Sequence, residues 1–137
     1  MADIDQLRPA GIEIADGDTA KTPEINCTIT EGTISSDVLP FTIQFYHWED
    51  EVTRAQSCLV WMATTDGGAA SASGNTIIDA GSGSITHELT ANAILLCTTD
   101  ATGELVLSCE VSGTATRYVH VQLPDGSVES CLLTWAE

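Results

Sequence analysis

Apolar side chains in this chain return at every second residue in short runs, and each run ends in a cluster of glycine, serine, threonine or aspartate. A period of two is the signature of a strand with one face buried, whereas a helix needs a spacing of three and four. Along Glu104 to Val111, Leu105, Leu107, Cys109 and Val111 share one side while Glu104, Ser108 and Glu110 share the other, with Val106 as the exception. Arg117 to Leu123 repeats the arrangement, setting Val119, Val121 and Leu123 against Tyr118, His120 and Gln122. Because a slip of one residue would exchange the two faces, such a pattern also fixes register.

Read this way, the chain offers nine strands: Glu24–Thr30, Pro40–Trp48, Gln56–Thr64, Asn75–Asp79, Ser84–Leu89, Ala93–Thr98, Glu104–Val111, Arg117–Leu123 and Val128–Trp135. The breakers between them are EGTISSD, WEDEVTR, TTDGGAASASG, AGSG, TTDATG, SGTAT and PDG. Short strands with turns at this spacing, and no amphipathic helix among them, predict an all-β fold. The expected form is an antiparallel immunoglobulin-like β-sandwich, with a jelly roll as the alternative. Trp61, in the strand QSCLVWMAT, is the expected anchor between the two sheets.

At 137 residues the chain is the size of one domain, long enough to bury roughly two-thirds of the surface its unfolded form exposes. Residues 1–22 differ from the rest, carrying Pro9, two of the four cations and only a brief alternation in GIEI, with Pro23 at their boundary. They are expected to form an extended N-terminal arm, with the sandwich domain over 23–137. A segment with so little apolar content has no core of its own and must lie on something else to become ordered.

Charge narrows the partners. Four Lys and Arg face twenty Asp and Glu, a formal net charge of −16. Such a surface repels phosphate, so neither nucleic acid nor an anionic membrane is expected as a partner. No stretch reaches the roughly 18 apolar residues of a membrane span. The first residues, MADIDQLRPAG, lack the cationic start and apolar run of a signal peptide, so synthesis in a cytoplasm is expected.

The residues that could carry chemistry are scattered. Cys27, Cys58, Cys97, Cys109 and Cys131 are too widely spaced for paired zinc ligation and are odd in number; they read as reduced, buried small hydrophobes, with one structural disulfide as the alternative. In YHWEDE, His47 with Glu49 or Asp50 has metal-ligand character, but acids at a tight turn are ordinarily just solvated. In ADGDT, Asp16 and Asp18 flank a glycine without the later acids a calcium loop requires. His47, His87 and His120 fall on separate strands, and no nucleophile elbow, zinc-helix, phosphate-loop or dinucleotide motif occurs. No catalytic, cofactor-binding or metal-binding residue is therefore assigned, and no enzyme activity is expected. The tract TTDGGAASASG, Thr64 to Gly74, is expected to project as a loop from one end of the sandwich.

From about Phe41 onward the layout resembles a group of small tailed-bacteriophage virion proteins of the capsid decoration or cement type, built on an immunoglobulin-like sandwich. The shared features are a tryptophan strand followed by a small-residue loop (LVWMATTDGGA), a strand running into T-D-x-x-G at Thr99, Asp100 and Gly103, an aromatic strand reaching P-D-G at Pro124 to Gly126, and a short last strand. The resemblance implies a virion structural protein on the capsid surface that binds the major capsid protein, as a homo-oligomer of two or three copies, with the arm adding contact area. The alternative is a receptor- or carbohydrate-binding module of a phage tail fibre or bacterial adhesin, using the Thr64–Gly74 loop.

Overall fold

A computed structural model describes residues 25–71 and 75–135; the arm over 1–22, with Asp16 and Asp18, lies outside them. The described residues form ten strands: β1 Ile25–Glu31, β2 Val38–His47, β3 Asp50–Glu51, β4 Ser57–Ala63, β5 Thr76–Asp79, β6 Ser84–Thr90, β7 Ile94–Thr98, β8 Glu104–Glu110, β9 Ala115–Gln122 and β10 Val128–Trp135. Nine match the expected segments to within two residues. The tenth, β3, is a two-residue extension of the β2 hairpin, too short to leave an alternation in the sequence.

The strands assemble into two antiparallel sheets. The first runs β1-β2-β8-β5, with β3 paired to β2, and the second runs β10-β9-β4-β7-β6. In an immunoglobulin constant-type sandwich one sheet has the order A-B-E-D and the other C-F-G. Here β1, β2, β8 and β5 hold the A, B, E and D places, while β4, β9 and β10 hold C, F and G. The β6–β7 hairpin is inserted between D and E and extends the second sheet beyond β4. This order is immunoglobulin-like and excludes the jelly roll.

The core is the interior between the sheets. Leu39, Phe41, Ile43 and Phe45 of β2, and Leu105, Leu107 and Cys109 of β8, face Val60, Met62, Leu95, Val119, Val121 and Leu133 of the second sheet. Trp135 anchors the two sheets: it is fully buried, and its Nε1–H donates to the Cys109 carbonyl at 3.0 Å. Trp61 does not take that role. Its cross-strand partners Ile94 and His120 show that it points outward, and it is half-buried there. β4 is apolar on both of its faces around Trp61, so alternation alone could not say which way that tryptophan points.

Turn chemistry fixes the ends. Gly103 adopts φ +83°, and a Cβ there would run into the Val52 side chain, so only glycine fits. Its carbonyl accepts from Phe45 N–H at 2.9 Å, tying the β7–β8 turn to β2. In the same turn the Asp100 carboxylate accepts from the N–H groups of Thr102 and Glu104, both at 2.9 Å. The T-D-x-x-G pattern is thus a device for reversing the chain between the two sheets. On the other side of the sandwich, Glu31 of β1 accepts from Thr134 N–H of β10 at 2.6 Å and so joins the two edge strands.

All five cysteines are free thiols, and four of them are core residues. Burial pushes the Cys27 thiol up to about 12, with Glu129 adding to it. It likewise raises Cys97 to about 12, helped by Asp79, and Cys109 to about 11. These thiols behave as hydrophobes rather than nucleophiles.

Candidate functional site

The outward faces of the two sheets differ in kind. Across the first sheet the rows read Thr28–Gln44–Glu104, then Thr30–Thr42–Val106, then Pro40–Ser108–Ile78, a mostly polar surface in which Ile78 is 54% exposed. Across the second they read Leu96–Leu59–Gln122–Val128, then Ile94–Trp61–His120–Ser130, then Ala63–Tyr118–Leu132. In this second face the side chains are apolar or uncharged on β4, β7, β9 and β10. Most are half-buried, while Val128 (47% exposed) and Leu132 (45% exposed) stand well out into solvent.

At its centre lies His120. Tertiary structure buries it to 2% exposure even though it points away from the core. Its ring stacks on Trp61 with centroids 5.0 Å apart and planes 4° from parallel. The Gly67 N–H donates to His120 Nε2 at 2.8 Å, so the ring proton sits on Nδ1. That Nδ1 is buried and has no hydrogen-bond partner among the described residues. Asp66, on the same turn, lies 3.7 Å from His120 Nε2 and accepts from the Ser130 hydroxyl at 2.9 Å.

The described part of the Thr64–Gly74 tract, 64–71, is therefore not a free projection. Its Asp66–Gly67 turn folds back over β9 and β10, and Ser71 N–H donates to the Met62 carbonyl at 2.8 Å. Sequence reasoning placed His120 on the less apolar face but missed that a loop covers it. No local signal linked the two, since Gly67 and His120 are 53 residues apart in sequence.

The triad-like company of Ser130, Asp66 and His120 does not have the order needed for nucleophilic catalysis. The serine hydroxyl donates to the aspartate, and the histidine nitrogen facing them is already occupied as an acceptor. These contacts instead pin a loop to the sheet.

His47 lies elsewhere. It pairs with Asp50 across the β2–β3 hairpin, whose tip carries Trp48 at φ +60° and 49% exposed. Beside it a cavity of about 560 Å³ is bordered by Ile25, His47, Asp50, Val52, Arg54 and Gln56. His87 is on β6 and pairs with Leu96, so the three histidines do not meet. Among the described residues, no group of three or more His, Cys, Asp and Glu is arranged to hold a metal, and no helix is long and apolar enough to cross a membrane.

No protein-family model and no curated protein matches the chain. Solved structures with some likeness include the collagen-binding subdomain of the Enterococcus faecalis surface protein ACE, at 9% identity and TM-score 0.37 over 85% of this chain and 99% of that one. AvmM, which catalyses macrocyclization in alchivemycin A biosynthesis, aligns at 9% identity and TM-score 0.34 over 83% of this chain and 89% of its own. An exo-β-N-acetylglucosaminidase of Vibrio harveyi aligns at 7% identity and TM-score 0.32, over 81% of this chain but 18% of the enzyme. Overlaps this loose carry no inference about activity or ligand.

Proposed function

We propose that this protein is a passive structural component of a tailed-phage particle, a decoration or cement protein that binds the shell of the major capsid protein. The observation that carries the reading is the uncharged, apolar outward face of the second sheet on a chain of net charge −16. On β4, β7, β9 and β10 the outward strand positions carry no charge, with Glu88 on the neighbouring β6 and Asp66 on the overlying turn as the carboxylates beside them. Contiguous apolar surface of that sort marks a protein–protein contact, because the centre of an interface is depleted in charge and enriched in aromatic residues. Trp61 and Tyr118 are the aromatic residues here. The resemblance to virion proteins supplies the identity of the assembly, and residues 1–22 supply its grip on the shell.

Work of this kind requires area and shape rather than reactive groups. The expected behaviour is saturation of capsids at hundreds of copies per particle. It is tested by adding purified full-length chain, and a chain lacking residues 1–22, to capsids stripped of decoration, then counting bound copies by sedimentation and cryo-electron microscopy. The full chain should saturate, whereas the truncated chain, shown to be folded by circular dichroism, should not bind. A full chain that ignores capsids but binds a glycan array would overturn the reading in favour of a receptor-binding module.

A further inference from the structure

We infer that the Asp66–Gly67 turn is a proton-released latch: it closes over His120 while the imidazole is neutral, and it lifts when the ring takes a second proton in mild acid. Such a latch works on the loop itself and stands whether or not the protein joins a capsid.

The bond that closes the latch can be made by one form of the ring. His120 Nε2 accepts the Gly67 N–H at 2.8 Å, and an imidazole nitrogen accepts only while it carries no proton. In the imidazolium both nitrogens are donors, so Nε2–H would point at the Gly67 N–H and neither would find an acceptor along that line. Nδ1 offers no relief. It is buried without a hydrogen-bond partner among the described residues, so the charge would sit at 2% exposure with one N–H unpaired and the other opposed. A cation buried in that way costs far more than the single bond holding the turn, and water reaches the ring only when the turn lifts.

The surroundings do little to hold the charge in place. β4 presents Trp61, stacked on the imidazole, and β10 presents Ser130 opposite His120. On β9 itself Tyr118 and Gln122 are the same-side neighbours, whereas Arg117 alternates to the other side and donates to Asn75 Oδ1. Glu129 of β10 is paired with the core residue Val121 and also projects from the other side of the sheet. Among the described residues, the charged group that faces the ring is Asp66, whose Oδ1 lies 3.7 Å from Nε2 on a side chain 64% exposed. That carboxylate cannot keep the latch shut. To accept Nε2–H it would have to take the place of the Gly67 N–H, so the bond that closes the turn is lost either way.

The turn is built to move at its tip. Its base is held by Ser71 N–H donating to the Met62 carbonyl, and Gly68 N–H closes on the Thr65 carbonyl within the turn. The tip is attached through His120 and through the Ser130 hydroxyl on Asp66. The sign follows from proton binding: the open loop takes up a proton that the closed loop refuses, so closure is complete above the imidazole range, near pH 6.5, and is lost as pH falls below it. What acid uncovers is His120 and, around it, the centre of the outward face at Trp61 and Tyr118.

The test is NMR of the full chain from about pH 8 to about pH 5, which stays above the sequence pI of about 4.1. Long-range proton–nitrogen correlations of the imidazole should show Nδ1 protonated and Nε2 bare at the alkaline end. The protection factor of the Gly67 amide should fall at least about tenfold by the acid end, while the amides of β4 and β9 keep theirs. His120→Gln retains an acceptor for the Gly67 N–H and cannot titrate, so its Gly67 protection should be equal at both ends. A proton on Nε2 in alkali overturns the inference, as does a ring that is still neutral at the acid end or one that charges with Gly67 still protected. A His120→Gln protein that loses Gly67 protection in acid also overturns it, since His47 and His87 remain in that variant. If His120→Gln does not fold, the wild-type titration decides alone.

Discussion

The two sheets share one interior but turn opposite characters to the outside. The first shows rows such as Thr28–Gln44–Glu104 and the second shows Leu96–Leu59 and Ile94–Trp61. A half-buried antiparallel sheet needs only one apolar side. The first sheet goes little beyond that requirement, with Val106, Pro40 and the 54% exposed Ile78 among its polar outward residues. The second has a surplus, and apolar surface that folding does not use is surface left for binding. The comparison also explains why His120 is covered: on a threonine face a histidine would be hydrated, whereas among Trp61, Ile94 and the 64–71 loop it is shut away from water.

The comparison can be broken most forcefully from the side that the sheets share. Trp135→Ala removes a fully buried indole and its hydrogen bond to Cys109, and should destabilise the domain by about 3–5 kcal/mol, measured by urea unfolding. If the loss were below about 1 kcal/mol, the sheets would not be held by a common interior.

Next in size is the response to alkali, which should be common to both sheets because each buries thiols. Cys27 and Cys109 belong to the first, Cys58 and Cys97 to the second. Their folded values are raised, so the stability they contribute is complete below the unfolded thiol value of about 8.5. It is lost as pH rises from there toward the folded values of about 11 to 12. Thermal melts should fall steadily over that window, and a version with the four buried cysteines replaced by alanine or valine should lose less. At pH 8 a thiol-alkylating reagent should modify Cys131 first, since it is only half-buried. Rapid labelling of all five thiols in the folded protein would contradict the burial described.

A smaller effect sharpens the contrast of the outward faces themselves. An apolar fluorescent dye should bind wild type under conditions that keep it monomeric, and L59D/L132D should lower the signal several-fold while T30D/T42D leaves it unchanged. Either double substitution should cost roughly 1–2 kcal/mol, since Leu59 and Thr42 are half-buried and T30D/T42D sets two carboxylates opposite one another across β1 and β2. Equal dye binding by both variants would erase the distinction between the faces.

The smallest effect expected is in acid. The hydrogen bonds from Glu104 N–H and from Thr102 hold the Asp100 carboxyl below its ordinary value, and those from Ser127 do the same for Asp125 in the PDG turn. A depressed carboxyl stabilises the fold above its unfolded value, near 3.9, and that contribution fades as pH falls through the folded value. Melting temperature should therefore decline slightly below about pH 4, and Asp100→Asn should flatten the decline. An unchanged slope would mean that the turn does not depend on the ionised carboxylate.

Local chemistry made much of this legible. Alternation set Leu105, Leu107 and Cys109 inward, the glycine at 103 marked a turn that no side chain could enter, and PDG closed the last hairpin where Gly126 takes φ +92°. The strands of the first sheet could be read almost residue by residue because their two sides differ in polarity. The second sheet resisted. In SCLVWMA and ILLCT both sides are apolar, so nothing in the segment says which parity faces in, and Trp61 was expected where Trp135 stands. The His120 loop was illegible for a related reason, since its partner Gly67 is 53 residues away in sequence.

The sequence by itself determined the strand segments, the turns and the all-β class, because dihedral preference, turn chemistry and period-two burial are properties of neighbouring residues. Only the tertiary structure decided which sheet each strand joins, which tryptophan lies in the core and which outward face stays apolar. Those outcomes depend on what packs across 10 Å of interior, and a strand apolar on both sides can satisfy its own local rules in either orientation until its neighbours choose one.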